Sequence, residues 1–200
     1  MHMLFQKYED FYVTYLNKDY KWKKWKKYSE LNDYELKNAN NRQVLKTEVV
    51  VDVETKDENI MRYIIAKLDF FGYGYSVWDT GGKGYHIHLF FDELDKFDAD
   101  VVPYIKKYIL LRTFGNLSCI DLQKTFNKVL IALEYSRHRK TGKPKILIFD
   151  KEGINKLDSS CYELAKELKS SDKKDDLIKK YVKDYKHHIE FVNFLKEVSL

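Results

Sequence analysis

Cysteine is nearly absent: Cys119 and Cys161 are the only two in 200 residues, and they form no CxxC pair. That argues against a structural zinc site and against a disulfide framework, and it suits a reducing cytoplasm. Proline is as scarce, with two residues, and no Pro- or Ser-rich run marks a flexible linker or an internal repeat. No apolar stretch approaches the roughly 18 residues of a membrane span, and the first residues lack a signal-peptide pattern. A soluble, intracellular (cytoplasmic) protein with no membrane partner is therefore expected. Two hundred residues suffice for one domain with a full core plus a helical appendage. A net charge of +5 with 34% charged residues is mild, so the placement of the cations matters more than their number.

Aromatic residues are abundant, with 16 Tyr and 12 Phe. Leu4, Phe5, Tyr8, Phe11, Tyr12, Tyr15 and Leu16 follow helical spacing and predict an N-terminal helix. In Lys18 to Tyr28, lysines alternate with Tyr20, Trp22, Trp25 and Tyr28. Lys21, Lys23, Lys24 and Lys26 can attract phosphates while the rings stack on bases. The plainer alternative buries Trp22 and Trp25 on one helical face and leaves the lysines solvated.

The chemistry concentrates between Glu48 and Phe91. Val49-Val50-Val51 reads as a buried strand that delivers Asp52 and Glu54, two carboxylates on one face by strand alternation. Such a pair repels itself, and a divalent cation is the simplest remedy. A helix over Asn59 to Phe71 ends at Gly72, followed by the strand Tyr75 to Trp78. Next come the turn Thr80-Gly81-Gly82-Lys83-Gly84 and the strand Tyr85 to Phe91, with His86 and His88 on one face. The glycine turn presents backbone N–H groups and Lys83 to anionic oxygens. Carboxylates, histidines and a basic glycine turn together suit metal and phosphate.

Hydrophobic-Asp52-Val53-Glu54 followed by Thr80-Gly81-Gly82-Lys83-Gly84-Tyr85-His86 resembles the first two motifs of the archaeo-eukaryotic primase superfamily, the small catalytic primase subunits and primase-polymerases. Ile120-Asp121-Leu122 is similar to the third motif, and Ser136-Arg137-His138-Arg139-Lys140-Thr141-Gly142 to the segment that trails it. The match covers Val49 to Lys145, about half the chain. The resemblance implies template-dependent nucleotidyl transfer from nucleoside triphosphates, with Asp52, Glu54 and Asp121 as catalytic residues holding two Mg²⁺ or Mn²⁺ ions and no zinc. It further implies nucleotide binding by Thr80, Gly81, Gly82, Lys83, Gly84, His86 and His138, and nucleic-acid binding by Arg137, Lys140 and Lys143. A DNA template or primer is the expected partner, with an accessory primase subunit or a helicase as a further one. The family's arginines after the third Asp are absent; Lys124 and Lys128 stand there, and Ala132-Leu133-Glu134 occupies an Arg-x-Pro-like position.

The remaining pattern predicts a helix over Pro103 to Phe114, a strand pair at Lys128 to Tyr135 and Lys145 to Asp150, a helix capped by Asp158, and another over Lys173 to Val198. The fold class read from this is α+β: an RRM-like palm sheet of the primase-polymerase type with N- and C-terminal helices. Residues 1–150 form the catalytic domain and 151–200 a helical appendage. Two other readings stand beside it. His86-Ile87-His88 with Tyr104-Ile105-Lys106-Lys107 also fits a rolling-circle replication endonuclease, in which both histidines hold one metal and Tyr104 attacks the phosphate. That reading leaves Asp52, Glu54 and the glycine turn without a task. The other is a catalytically silent nucleic-acid-binding module of the same fold.

Overall fold

A computed structural model describes residues 11–19, 21–126 and 129–183. In chain order the elements are β1 (Tyr12–Leu16), β2 (Trp22–Lys27), α1 (Asp33–Lys37), β3 (Ala39–Gln43), β4 (Glu48–Val53), α2 (Glu58–Phe70), β5 (Tyr75–Asp79), β6 (Tyr85–Phe90), α3 (Val102–Phe114), β7 (Leu130–Ala132), β8 (Ile146–Lys151), α4 (Ser159–Ser170) and α5 (Lys174–Lys183). The architecture is α+β, with two four-stranded antiparallel sheets in the orders β2-β1-β3-β7 and β4-β6-β5-β8. None of these helices is long and apolar enough to cross a membrane.

The second sheet has two unlike faces. Val49, Val51, Val53, Tyr75, Val77, Ile87 and Leu89 point into the main core, where α2, α3 and α4 cover them. Asp57 caps α2 by accepting from the Asn59 and Ile60 N–H groups at 2.8 and 3.2 Å, and Gly72, at φ +66°, ends it. Ile64 and Leu68 are fully enclosed and contribute roughly 1.5–3 kcal/mol each by burial. The other face carries Glu48, Val50, Asp52, Ser76, Trp78, His86 and His88, and the first sheet covers part of it through Val44 and Ile131 on Val50.

Several expectations are corrected. Tyr12–Leu16 is a strand, not a helix; Val13 is buried, Tyr12 exposed, and β2 and β3 pair on either side. The β-branched and aromatic residues there favour a paired extended chain, and the aromatic spacing that reads as helical fits alternation equally well. The part of that expected helix before Phe11 lies outside the described residues. Trp22–Lys27 is the outer strand of the first sheet, so Trp22 and Trp25 do not share a helical face. Trp25 occupies a bulge at φ 63° and is 40% exposed. β7 and β8 do not pair with each other: β7 joins β3, β8 joins β5, and residues 135–145 form the tight hairpin by which the chain crosses between sheets. Beyond residue 150, Leu157, Cys161, Leu164, Leu168 and Ile178 belong to the main core. The last expected helix is seen as Lys174–Lys183, and its remainder lies outside the described residues.

Lys106 on α3 is 4% exposed and donates to the Leu45 carbonyl at 2.6 Å. Burial, opposed by Glu48, lowers its pKa from the ordinary 10.5 to about 8. Between those values the unfolded chain keeps a proton the folded chain has released, so this residue makes stability rise with pH across that window. Chemical denaturation from pH 8 to 10 should show Lys106→Met with a flatter pH dependence than the natural chain. Parallel profiles would contradict this.

Candidate active site

Cross-strand register brings the acids and the first histidine together. Asp52 on β4 pairs with His86 on β6, and His86 Nε2 lies 3.6 Å from Asp52 Oδ1. The His86 ring is 7% exposed, and its Nδ1 is buried with no partner among the described residues. Burial, reinforced by the Lys145 charge, keeps the imidazole neutral well below its ordinary pKa. Glu54 follows the end of β4, exposed, with its N–H donated to the Cys119 carbonyl at 2.8 Å. Ile120 bridges Val53 on the open edge of β4, and the Asp121 N–H reaches the Asp52 carbonyl at 2.9 Å. This short antiparallel contact sets Asp121 beside Asp52.

Asp121 also caps the 3₁₀ turn Leu122–Thr125, its Oδ1 accepting from the Gln123 N–H at 2.8 Å. The same turn holds Lys124, whose Nζ is 3.5 Å from Asp52 Oδ2 and 3.8 Å from Asp121 Oδ2. Burial raises the Asp52 pKa; Lys124 opposes this, while Asp121 and Glu54 add to it. All three acids therefore share one electrostatic neighbourhood, with an ammonium group already drawn between two of them. Among the described residues no three His, Cys, Asp or Glu side chains converge on a single point.

The glycine turn sits on the end of β4. A Cβ at Gly84 would lie 1.7 Å from the Val53 carbonyl oxygen, so only glycine permits this approach. A Cβ at Gly82 would meet the His138 imidazole at 2.8 Å. The Thr141 hydroxyl donates to the Gly81 carbonyl at 2.6 Å, which staples the 136–144 turn, with Arg137, His138, Lys140 and Lys143, to the glycine turn. Arg137 donates to the Gly142 carbonyl at 3.0 Å, and Arg137, Lys140 and Lys143 are exposed. Two turn amides are not open as expected. Gly81 N–H donates to Asp79 at 2.7 Å, and Gly82 N–H to the Thr80 hydroxyl at 3.2 Å. The amides of Lys83 and Gly84 have no partner among the described residues, and the Lys83 side chain is exposed. Lys56, an unexpected cation on this rim, pairs with Asp79 and lies 4.8 Å over the Tyr85 ring.

Beneath the rim lies a charge network closed to water. Arg42 donates two hydrogen bonds to Glu48, both at 2.7 Å, and two to Glu134, at 2.8 and 2.9 Å. Lys145 donates to Glu134 at 3.0 Å, to the Ala132 carbonyl at 2.9 Å and to His88 Nε2 at 3.2 Å. His88 Nε2 therefore accepts, and its Nδ1–H donates to Glu48 at 2.5 Å. His88 is fully buried and neutral, held below its ordinary pKa by burial and by Lys145. Arg42 and its neighbours hold Glu48 and Glu134 well below the usual carboxylate range although burial opposes this.

Comparison with known protein families yields no match, and neither does comparison with the curated proteins. The geometry alone separates the candidates.

Both ring nitrogens of His88 are engaged, Nδ1 with Glu48 and Nε2 with Lys145. Tyr104 belongs to α3 and packs on the opposite face of the sheet, with Lys174 5.2 Å over its ring. Tyr104 and the two histidines thus lie on opposite faces of the sheet. Lys21, Lys23 and Lys26 lie on or beside β2, the far strand of the other sheet; Lys26 pairs with Glu35 at 2.6 Å, and Lys21 and Lys23 are exposed. The backbone of Lys24 belongs to the same strand. Sequence reasoning missed Lys124 as a partner of the acids, and it missed Arg42, Glu48, Glu134 and Lys145 as the support of the site. One signal was available: Glu48, Val50 and Asp52 alternate, as do Glu134 and Ala132 in an otherwise apolar run.

Removing one member of such a network strands the opposite charge in the interior, at a cost of about 3–5 kcal/mol. Arg42→Met should lose that much in urea unfolding, whereas a loss under about 1 kcal/mol would show that water reaches Glu48 and Glu134.

Proposed function

We propose that this chain is a primase-polymerase-type nucleotidyltransferase that extends nucleic acid from nucleoside triphosphates on a template. The observation that carries the reading is the Asp52–His86 cross-strand pair, flanked by Asp121 on one side and the Thr80–Gly84 turn on the other. The topology supports it. β4 and β5 run parallel, joined by α2, with β6 antiparallel between them, as in the opening half of an RRM-like palm. The Ile120 bridge lies along the free edge of β4, where such a palm carries its remaining strand, while β8 extends the other edge.

Asp52, Glu54 and Asp121 are the residues that would hold Mg²⁺ or Mn²⁺. What supports the donor set is the repulsion of Asp52 by Asp121 and Glu54, together with the Lys124 ammonium already drawn between Asp52 and Asp121. Bound there, a metal pair would activate the attacking hydroxyl and offset charge at phosphorus. The protein's own groups do the rest. His86, neutral and beside Asp52, would form the wall against which the phosphates lie. Lys83, Lys124 and Lys140 would add positive charge around a triphosphate held by the glycine turn. His138, seated on Gly82, fixes the shape of the turn. Arg137 and Lys143 on the hairpin would follow the template backbone, with the β2 lysines as a second, outlying contact.

Template-directed incorporation of labelled nucleotides with Mg²⁺ or Mn²⁺ tests this. Asp52→Asn should lower the rate by about a thousandfold or more, equivalent to about 4 kcal/mol of barrier, with an unchanged circular dichroism spectrum. Undiminished incorporation by the folded variant would refute the assignment.

A further inference from the structure

Tyr135 combines three features that the nucleotidyl-transfer chemistry does not use. Its backbone is left-handed, at φ 62°, its side chain is 50% exposed, and its ring stands edge-on to Trp78 at 5.3 Å. A bulky aromatic in that conformation is a genuine, strained outlier and persists only where its surroundings enforce it. Here they do: Tyr135 N–H donates to the Lys145 carbonyl at 3.1 Å, and Ser136 is tied back to the Leu133 carbonyl through its N–H at 3.1 Å and its hydroxyl at 2.6 Å. The neighbouring left-handed positions, Gly81 and Gly142, are glycines, which take the conformation without strain. At residue 135 the chain keeps a large ring instead.

The ring's location gives it a task. Asp52, His86, Trp78 and Leu147 are successive cross-strand partners, so they form one row across the sheet. Trp78 is buried at 4%, its Nε1–H fixed on Ser76 at 3.0 Å and its ring held by Lys145 at 5.4 Å. Tyr135 rests on that anchored indole, and Leu147 beside it is 39% exposed. The strand spacing puts this apolar patch about 10 Å from His86, on the side away from the acids. A ligand that places phosphate at His86 and the glycine turn would carry its base toward the patch.

We propose that Tyr135, braced by Trp78, is the stacking platform for the base of the incoming nucleotide. This rests on the triphosphate site described above and adds the subsite for the nucleoside end. Stacking on a π-face is tolerant of base identity, as a templated reaction requires, and grows with ring area, so purines bind more tightly than pyrimidines.

Calorimetric titration with nucleoside triphosphates and with inorganic tripolyphosphate separates the two parts. For Tyr135→Gly and Tyr135→Leu, nucleotide affinity should fall about tenfold and the purine preference vanish, with tripolyphosphate affinity unchanged. Tyr135→Phe should bind like the natural chain. Tyr135→Gly should also melt at a higher temperature, because its backbone strain is gone, so its weaker binding cannot be ascribed to a damaged fold. Natural nucleotide affinity in Tyr135→Gly and Tyr135→Leu would overturn the platform and leave the triphosphate site standing. Failure of the natural chain to bind either ligand would take down both.

Discussion

Two cations and two anions, shut away from water, hold the sheets of this protein against each other. Arg42 comes from β3, Glu48 from β4, Glu134 from the end of β7, and Lys145 from the hairpin that leads into β8, with neutral His88 of β6 as the uncharged link. Each ion costs several kcal/mol to desolvate, so the network is tolerable only because it is neutral overall and nearly every donor has an acceptor. Its larger effect is on register. Moving β4 by one residue would turn Glu48 into the apolar layer under α2 and α3, and Asp52 with it. One alternative pairing after another is excluded by the same buried charges.

The candidate site is the open end of that polar face. Along β4, exposure increases from Glu48, fully buried, through Asp52 to Glu54, and along β6 the histidines progress from His88 to His86 toward the same rim. The two histidines therefore differ in kind despite their spacing. His88 has both nitrogens committed to the interior, whereas His86 retains a buried nitrogen with no partner among the described residues. The glycine turn packs on the 136–144 hairpin at Gly81 and Gly82 and on the end of β4 at Gly84, three places where a side chain would not fit. Rigidity at the rim is thus inherited from the network beneath it, and the strain at Tyr135 is maintained by the same hairpin.

Local signals made much of the second sheet readable in advance. Val49-Val50-Val51 marked a buried strand, apolar spacing from Asn59 and the stop at Gly72 marked α2, glycine marked the β5–β6 turn, and Asp158 caps α4 as its position suggests. The first sheet was harder, because the aromatics of residues 11–16 satisfy two periods at once and only pairing with β2 and β3 decides between them. The fate of the Lys145 hairpin was hidden for a related reason. Flanking strands around turn residues imply a hairpin of two paired strands, yet β7 and β8 are drawn to different sheets by β3 and β5. The charge network left only the alternation around Glu48 and Glu134 as a local signal, since its members lie far apart in sequence and each reads singly as a surface ion. Asp121 has a structural task of its own: one oxygen caps a turn while the other is turned to Lys124.

The central claim is that the Asp52, Glu54 and Asp121 rim holds divalent cations together with a triphosphate, and electron paramagnetic resonance of bound Mn²⁺ addresses it most directly. With a non-hydrolysable nucleoside triphosphate present, the natural chain should bind Mn²⁺ tightly, and a folded Asp52→Ala, Asp121→Ala double variant should lose that signal. Equal Mn²⁺ binding by the two proteins, or none by the natural chain, would contradict the account.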